Sequence, residues 1–304
     1  MRIRRVLAAA VWVWSVAAGA QELEPRRWSH LPTGSNFLGG GYSYTEGDLL
    51  FNPVSRIEDA EVTVDSLGMS FIRTFEAFGH SARVDLMAAY QEGKWEGLLA
   101  GVPAETERHG WADPIVRLSV NLLGAPPLSG DEFVAYRKRV AEGSETIVGA
   151  AVAVQVPLGE YEDDKLINLG ANRFAVRPQL GVVHNRGRWG FELTGGSWFY
   201  TDNDDFFGGQ RLEKDPLLTV QAHAVYTFFP GLWISGGVAY GWGGESTIEG
   251  DRQDDETSNL VFGGSLGIPL HRRFGMKVGY VGTRTQNDTG LDSDSLVLAA
   301  SVFW

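Results

Sequence analysis

From Leu218 to Phe228 every second residue is apolar. Leu218, Val220, Ala222, Ala224, Tyr226 and Phe228 share one side of an extended chain, and Thr219, Gln221, His223, Val225 and Thr227 share the other. A period of two belongs to a strand with one face in apolar and one in polar surroundings. The pattern recurs in 83–91, where Val84, Leu86, Ala88 and Tyr90 oppose Arg83, Asp85, Met87, Ala89 and Gln91. It recurs again in 115–122 and 274–283. Twelve such segments are read along the chain, at approximately 35–45, 61–75, 81–97, 111–123, 145–158, 172–184, 188–201, 216–229, 232–243, 258–269, 274–286 and 293–304.

Alternation alone does not say which medium each face meets. In a soluble sandwich the apolar face turns to a core. In an outer-membrane barrel it turns outward to lipid, and the polar face lines a lumen. Connection lengths separate the two. Connections after even-numbered segments are mostly tight, as at Asn185-Arg186-Gly187, Pro230-Gly231 and Leu270-His271-Arg272-Arg273. Those after odd-numbered segments are longer and acidic, as at 160–165, 202–205 and 245–256. Short turns on one side and long loops on the other fit a transmembrane barrel with its short side in the periplasm. One connection is out of pattern. Residues 124–144 are long on the short side; "DEFVAYRKRV" within them reads as a short periplasmic helix ending near Gly143, with Ser129 and Glu132 spaced as a capping box.

Aromatic rings gather near both ends of the segments. Trp189, Phe228, Phe229, Trp233, Phe274 and Trp304 fall near the short turns, and Tyr44, Trp95, Trp111, Trp198, Tyr200 and Trp242 near the long loops. Two belts of amphipathic rings suit two membrane–water interfaces. The chain then finishes on "LVLAASVFW", with Leu298, Ala300, Val302 and Trp304 at every second position back from the carboxylate. As an ordinary edge strand this would be an exposed apolar ladder open to aggregation. It resembles the C-terminal signature of bacterial outer-membrane proteins, which implies recognition by the barrel-assembly machinery and closure of the last strand against the first.

The N-terminus agrees. Arg2, Arg4 and Arg5 precede an apolar run from Val6 to Ala17 and then Ala18-Gly19-Ala20, the pattern of a signal peptide cleaved after residue 20. The run is short for a membrane anchor and a polar stretch follows at once. Removing those three arginines takes the formal charge from −12 to −15, which argues against nucleic acid as a partner. With no cysteine there is neither a disulfide framework nor a thiolate metal site. The expected organisation is a signal peptide at 1–20, a periplasmic N-terminal segment at 21–34, and an all-β, up-and-down antiparallel outer-membrane barrel at 35–304. Whether 21–34 plugs the lumen is not legible.

Five stretches resemble the outer-membrane transporter family called MetA-pathway of phenol degradation: "ELEPRRWSHLPTGSNF" (22–37), "SVNLLGAPPLS" (119–129), "DKLINLGANRFAVRPQLG" (164–181), "WFYTDNDDFFGG" (198–209) and "FFPGLWISGG" (228–237). The resemblance implies a barrel that helps small organic solutes, aromatic ones among them, across the outer membrane. It brings no established binding residues with it.

The residues themselves supply candidates. Arg83, Asp85, Arg117, Arg173, Arg177, Gln179, Glu192, Gln221, His223 and Lys277 fall on the polar side and are expected to line the lumen. Either they bias solute passage, or they pair into a network that fills the barrel. Twelve strands lie between barrels filled by side chains and those with an aqueous channel. No cofactor is expected. Asp202, Asp204 and Asp205 offer oxygen ligands for a divalent cation but lack the glycine and distal glutamate of a calcium loop. Solvated loops, bridged by cations to lipopolysaccharide phosphates, are the simpler expectation. A lipid-hydrolysing barrel would need a Ser–His pair on the lipid-facing wall. Only His109 sits near the outer leaflet, with no serine at a useful spacing, so no enzyme is expected. The expected function is passive uptake of small organic solutes, with a closed structural or surface-interaction barrel as the alternative.

Overall fold

The computed structural model describes residues 23–52, 57–99 and 101–304. The expected signal peptide lies outside them. Twelve strands form the wall: β1 (Asn36–Asn52), β2 (Ile57–Ala77), β3 (His80–Leu99), β4 (Ile115–Leu123), β5 (Ser144–Gln155), β6 (Ala175–Arg186), β7 (Trp189–Tyr200), β8 (Leu217–Phe229), β9 (Leu232–Gly243), β10 (Thr257–His271), β11 (Phe274–Thr285) and β12 (Gly290–Phe303). Each pairs antiparallel with its chain neighbours, and β1 pairs with β12 from Phe37↔Phe303 to Phe51↔Gly290, closing the barrel. Closure leaves the wall no unpaired edge, which a bilayer requires. The terminal Trp304 completes the seam through two backbone bonds with Asn36, of 2.9 and 3.1 Å.

The orientation follows the alternation. In β8, Gln221, His223 and Val225 are buried inside while Leu218, Val220 and Phe228 are exposed outside. Leu180 and Leu296 are 64% and 62% exposed, whereas Arg177, two residues from Gln179 on the opposite face of β6, is 1% exposed. Greasy outside and charged inside is the inverse of a soluble fold, and it is the arrangement of an outer-membrane barrel.

Several rings depart from the expected belts. Trp189, Phe228, Phe229, Phe274 and Trp304 are exposed at the short-turn end, and Tyr44, Trp111 and Trp242 at the long-loop end. Trp233 and Trp198, however, are fully or almost fully buried. They share strand parity with the inward Ser235 and Thr194, so they point into the lumen. Tyr200 has the same parity as Trp198 and packs against the cluster of Ala175, Trp198 and Leu217. The Trp95 ring folds back over Gly93 on the inner face. These four rings are lumenal packing, not interfacial anchors.

The out-of-pattern connection is a helix, α1 (Gly130–Glu142), between β4 and β5. Its N-cap residue is Ser129, but the Ser129 side chain makes no cap bond, so the expected capping box is not formed. Burial of Phe133 and Val140 holds the helix instead.

The wall is uneven in height. β1, β2 and β3 run for 17, 21 and 20 residues, while β5 to β7 run for 12 each. The segment Val102–Trp111 extends the tall sector by pairing with the upper half of β3, and Ala112-Asp113-Pro114 kinks the chain before β4. The long connections between β7 and β8 and between β9 and β10 carry a separate four-stranded sheet of Asn203–Phe206, Gln210–Lys214, Ser246–Ile248 and Asp251–Arg252.

Candidate functional site

Nine of the ten expected lumen-lining residues are buried on the inner face of wall strands: Arg83, Asp85, Arg117, Arg177, Gln179, Glu192, Gln221, His223 and Lys277. Arg173 is the exception in position. It precedes β6 in the loop 156–174, half-buried, with its guanidinium 4.9 Å from the Tyr200 ring centre. A buried charge needs a partner, and here partners come from two sources.

The first is the wall. Arg83 and Arg117 approach Asp85 at 3.2 and 3.8 Å. His223 lies 3.0 Å from Gln221 Oε1. The Arg177 guanidinium stacks 4.5 Å from the centre of the inward-facing Trp198 ring.

The second source is the segment ahead of β1. The sequence leaves open whether this segment plugs the lumen; residues 24–28 bond to inner-face groups of the wall. The Glu24 backbone N–H donates to Gln221 Oε1 at 3.1 Å, and the Arg26 N–H to Glu192 Oε2 at 2.7 Å. The Glu24 carboxylate takes both terminal nitrogens of Arg117, at 3.2 and 3.1 Å, and one from Arg27 at 2.5 Å. The Trp28 indole N–H donates to Thr194 Oγ1 at 2.8 Å. The Arg26 guanidinium lies 5.1 Å from the Trp233 ring centre.

Glycines make the room. A Cβ on Gly149 would fall 2.2 Å from the Trp28 ring, and one on Gly181 would fall 1.9 Å from Trp28 Nε1. Ile147, Ala151, Val183 and Ala125 complete an apolar slot around that indole. Among the described residues, small cavities lie against the segment. One of about 20 Å³ lies between Trp28, Ser81, Arg83 and Asn121, and one of about 10 Å³ between Glu24, Arg83, Asp85 and Arg117. Each holds about one water, so neither admits an organic solute.

Below the wall the segment is clasped by the α1 region. His30 Nε2 is 2.7 Å from Pro126 O, and its ring packs edge-on against Phe133 and Tyr136 at 4.8 and 5.2 Å. Burial pushes His30 down to about 4, against the weaker upward pull of its Pro126 carbonyl bond and of Glu145. Glu145 holds the clasp from the other side, accepting from the Ala125 N–H at 3.1 Å and from Tyr136 Oη at 2.7 Å. Thr33 N–H donates to Leu128 O at 2.8 Å.

At the opposite end Asp113 ties down the loop 156–174. Its carboxylate accepts from the N–H groups of Gly159 and Ala171, both at 2.8 Å, and from Gln155 Nε2 at 3.0 Å. The acidic run 202–205 carries its own cation, because Arg211 pairs with Asp202 and lies 3.7 Å from Asp204. The Asp205 carbonyl accepts from Tyr161 Oη. Among the described residues no group of three or more His, Asp or Glu is placed to hold a metal ion.

The sequence missed Glu24, Arg27 and Trp28 as lumen residues and Asp113 as a loop tie. The inward glycines were the available signal: Gly149, Gly181, Gly237 and Gly267 sit at inward parity on wall strands, each opposite a ring. Empty positions on a lining face predict that something else fills them.

A crystallised outer membrane channel from Pseudomonas putida F1 superposes with a TM-score of 0.78 at 21% identity, over 93% of this chain and all of that one. More remote likenesses are the transport unit of the autotransporter AIDA-I from Escherichia coli (TM-score 0.47, 10% identity, 93% of this chain and 92% of that one) and the CymD monoaromatic hydrocarbon channel (0.44, 9%, 96% and 93%). No curated protein sequence matches the chain. The sequence profile of MetA-pathway of phenol degradation matches residues 32–292, and the chain belongs to that family.

Proposed function

We propose that this protein is a non-enzymatic outer-membrane channel for small organic solutes, at rest with its lumen stoppered by residues 23–31. One observation carries the reading most of the way: a barrel with an apolar exterior has a charged lining whose buried groups are met by a segment that belongs to no wall strand. A barrel meant only as a scaffold has no need for lining glycines shaped around a removable indole. Membership of the phenol-degradation family and the fold of a known outer membrane channel fit the same reading. The short turns and α1 then face the periplasm, and the acidic loops and the accessory sheet face outward, towards lipopolysaccharide. Leu298, Ala300, Val302 and Trp304 serve as the signal read by the barrel-assembly machinery.

A permanently closed structural barrel is the second reading, favoured by the water-sized cavities. Planar-bilayer conductance and liposome uptake separate the two. The full mature chain and a form lacking residues 21–31 are compared. A channel gives sparse openings in the first, frequent openings in the second, and faster uptake of a neutral aromatic such as phenol. Silence from both forms, with the barrel folded, overturns the channel.

A further inference from the structure

The outside of the molecule carries cations at both ends of the wall, and the two sets differ in what meets them. At the long-loop end Lys94, Arg211, Arg252 and Arg284 pair with Glu96, Asp202, Glu245 and Asp294. At the short-turn end Arg186, Arg188, Arg272 and Arg273 are exposed, and among the described residues no Asp or Glu forms an ion pair with any of them.

Two of these four arginines sit on one patch of rings. In the β6–β7 hairpin Arg186 pairs across the strands with Trp189, and both point outward, in parity with the exposed Leu180 and Leu193. Such partners on one face stand about 5 Å apart at Cβ. Arg188 donates from Nη1 to Tyr226 Oη at 3.4 Å, and its carbonyl accepts the Thr227 N–H at 2.8 Å. The Tyr226 ring packs edge-on against Trp189 at 4.9 Å and against Phe228 at 5.0 Å, and Phe191 stacks on Trp189 at 5.9 Å. Two guanidinium groups thus rim a floor of rings, and the exposed Phe191 and Leu193 continue that floor along the apolar wall.

Amphipathic rings mark the depth at which hydrocarbon meets headgroups, and a guanidinium just beyond them reaches phosphate level. Arginine meets a phosphate with paired N–H donors. The patch is one-sided: it offers donors to a phosphate and no carboxylate to an ammonium. A zwitterionic phospholipid leaves its ammonium without a partner here, whereas a headgroup of net charge −1 has its whole charge met.

We propose that Arg186 and Arg188, above Trp189, Tyr226, Phe228 and Phe191, bind one anionic phospholipid of the periplasmic leaflet. Its phosphodiester takes the free guanidinium donors, and an acyl chain lies along Phe191 and Leu193. The leaflet rests on the orientation proposed above; the headgroup preference does not.

The test is native mass spectrometry of the full mature chain in detergent, titrated with phosphatidylglycerol or with phosphatidylethanolamine of the same acyl chains. Phosphatidylglycerol is expected to be held about tenfold or more tighter, the discrimination typical of charge-assisted bonds. Arg186→Gln combined with Arg188→Gln is expected to bring it down to the level of phosphatidylethanolamine, while heat-modifiable migration shows that the barrel is still folded. Arg252→Gln, at the other end of the molecule, is expected to keep the preference. Equal retention of the two lipids, a preference that survives the double variant, or displacement of the lipid by inorganic phosphate alone would each overturn the site. The leaflet is checked with His271→Cys, in the β10–β11 turn of a chain that has no cysteine. A membrane-impermeant maleimide is expected to label it only after the outer membrane is permeabilised. Labelling of intact cells overturns the leaflet and the orientation together, whatever the headgroup preference. Neither readout involves current, so failure here leaves the channel standing.

Discussion

Trp28 lies where a side chain on Gly181 would have to be: a Cβ built there falls 1.9 Å from the indole nitrogen. A Cβ built on Gly149 would likewise fall 2.2 Å from the ring, so the indole has wall backbone close by at both glycines. Gly181→Ala or Gly149→Ala should therefore evict the indole and unseat the stopper, raising open probability in planar bilayers severalfold or more. Gly236→Ala, whose added methyl meets nothing within 4 Å, is the control and should leave the currents unchanged.

Glu192 accepts the Arg26 N–H at 2.7 Å. Glu192→Ala leaves that buried donor without its acceptor, a loss of about 1–3 kcal/mol. The ratio of open to closed states should rise by about 5- to 150-fold, read as dwell times in single-channel records. Unchanged dwell times would mean that Glu192 does not help hold the stopper.

The His30 clasp gives a pH dependence. Its proton affinity is lowered by burial from the ordinary 6.5 to about 4, so the released segment binds a proton that the docked segment refuses. Docking is at full strength above pH 6.5. It weakens as pH falls through the window from 6.5 to 4, by at most about 3 kcal/mol, and levels off below that. Openings should become more frequent between pH 6.5 and 4. His30→Phe, which keeps the ring contacts with Phe133 and Tyr136, should flatten that part of the profile.

Asp113 collects three donors from the chain around the loop 156–174. Asp113→Ala should speed amide exchange at Gly159 and Ala171 by roughly tenfold or more, since charge-assisted bonds contribute about 1.5–3 kcal/mol each. Exchange in β8 should not change, because the barrel ladder there is independent of Asp113.

Trp304 closes the seam through its backbone while its ring stays 54% exposed outside. Trp304→Ala keeps the backbone bonds and removes the ring. If the ring is read during assembly, the yield of heat-modifiable barrel in cells should fall severalfold while refolding into detergent in vitro is little altered. Equal losses in both settings would assign the ring to stability alone.

The barrel was legible because its physics is local. Strand parity in 217–229 or 83–91 needs no partner to be seen, and the short and long connections set the direction of each hairpin. The misread rings show where that stops. Trp233 and Trp198 were placed by their distance along the strand, whereas parity with Ser235 and Thr194 decided which way they face. Ser129 occupies the expected N-cap but its side chain makes no cap bond, and apolar burial of Phe133 and Val140, not a capping box, fixes the helix. The stopper was not legible. Glu24 and Trp28 carry no period, and their partners Arg117, Gly149, Gly181 and Thr194 are 93 to 166 residues away in sequence, so only the closed wall brings them together.

Residues 23–32 join the wall through side chains and lie outside every ladder, whereas the wall is stitched to itself all the way around. The molecule is accordingly two materials of different hardness. Warming or mild denaturant should loosen the soft inner piece first, in a small early transition, and leave the hoop around it intact until far harsher conditions.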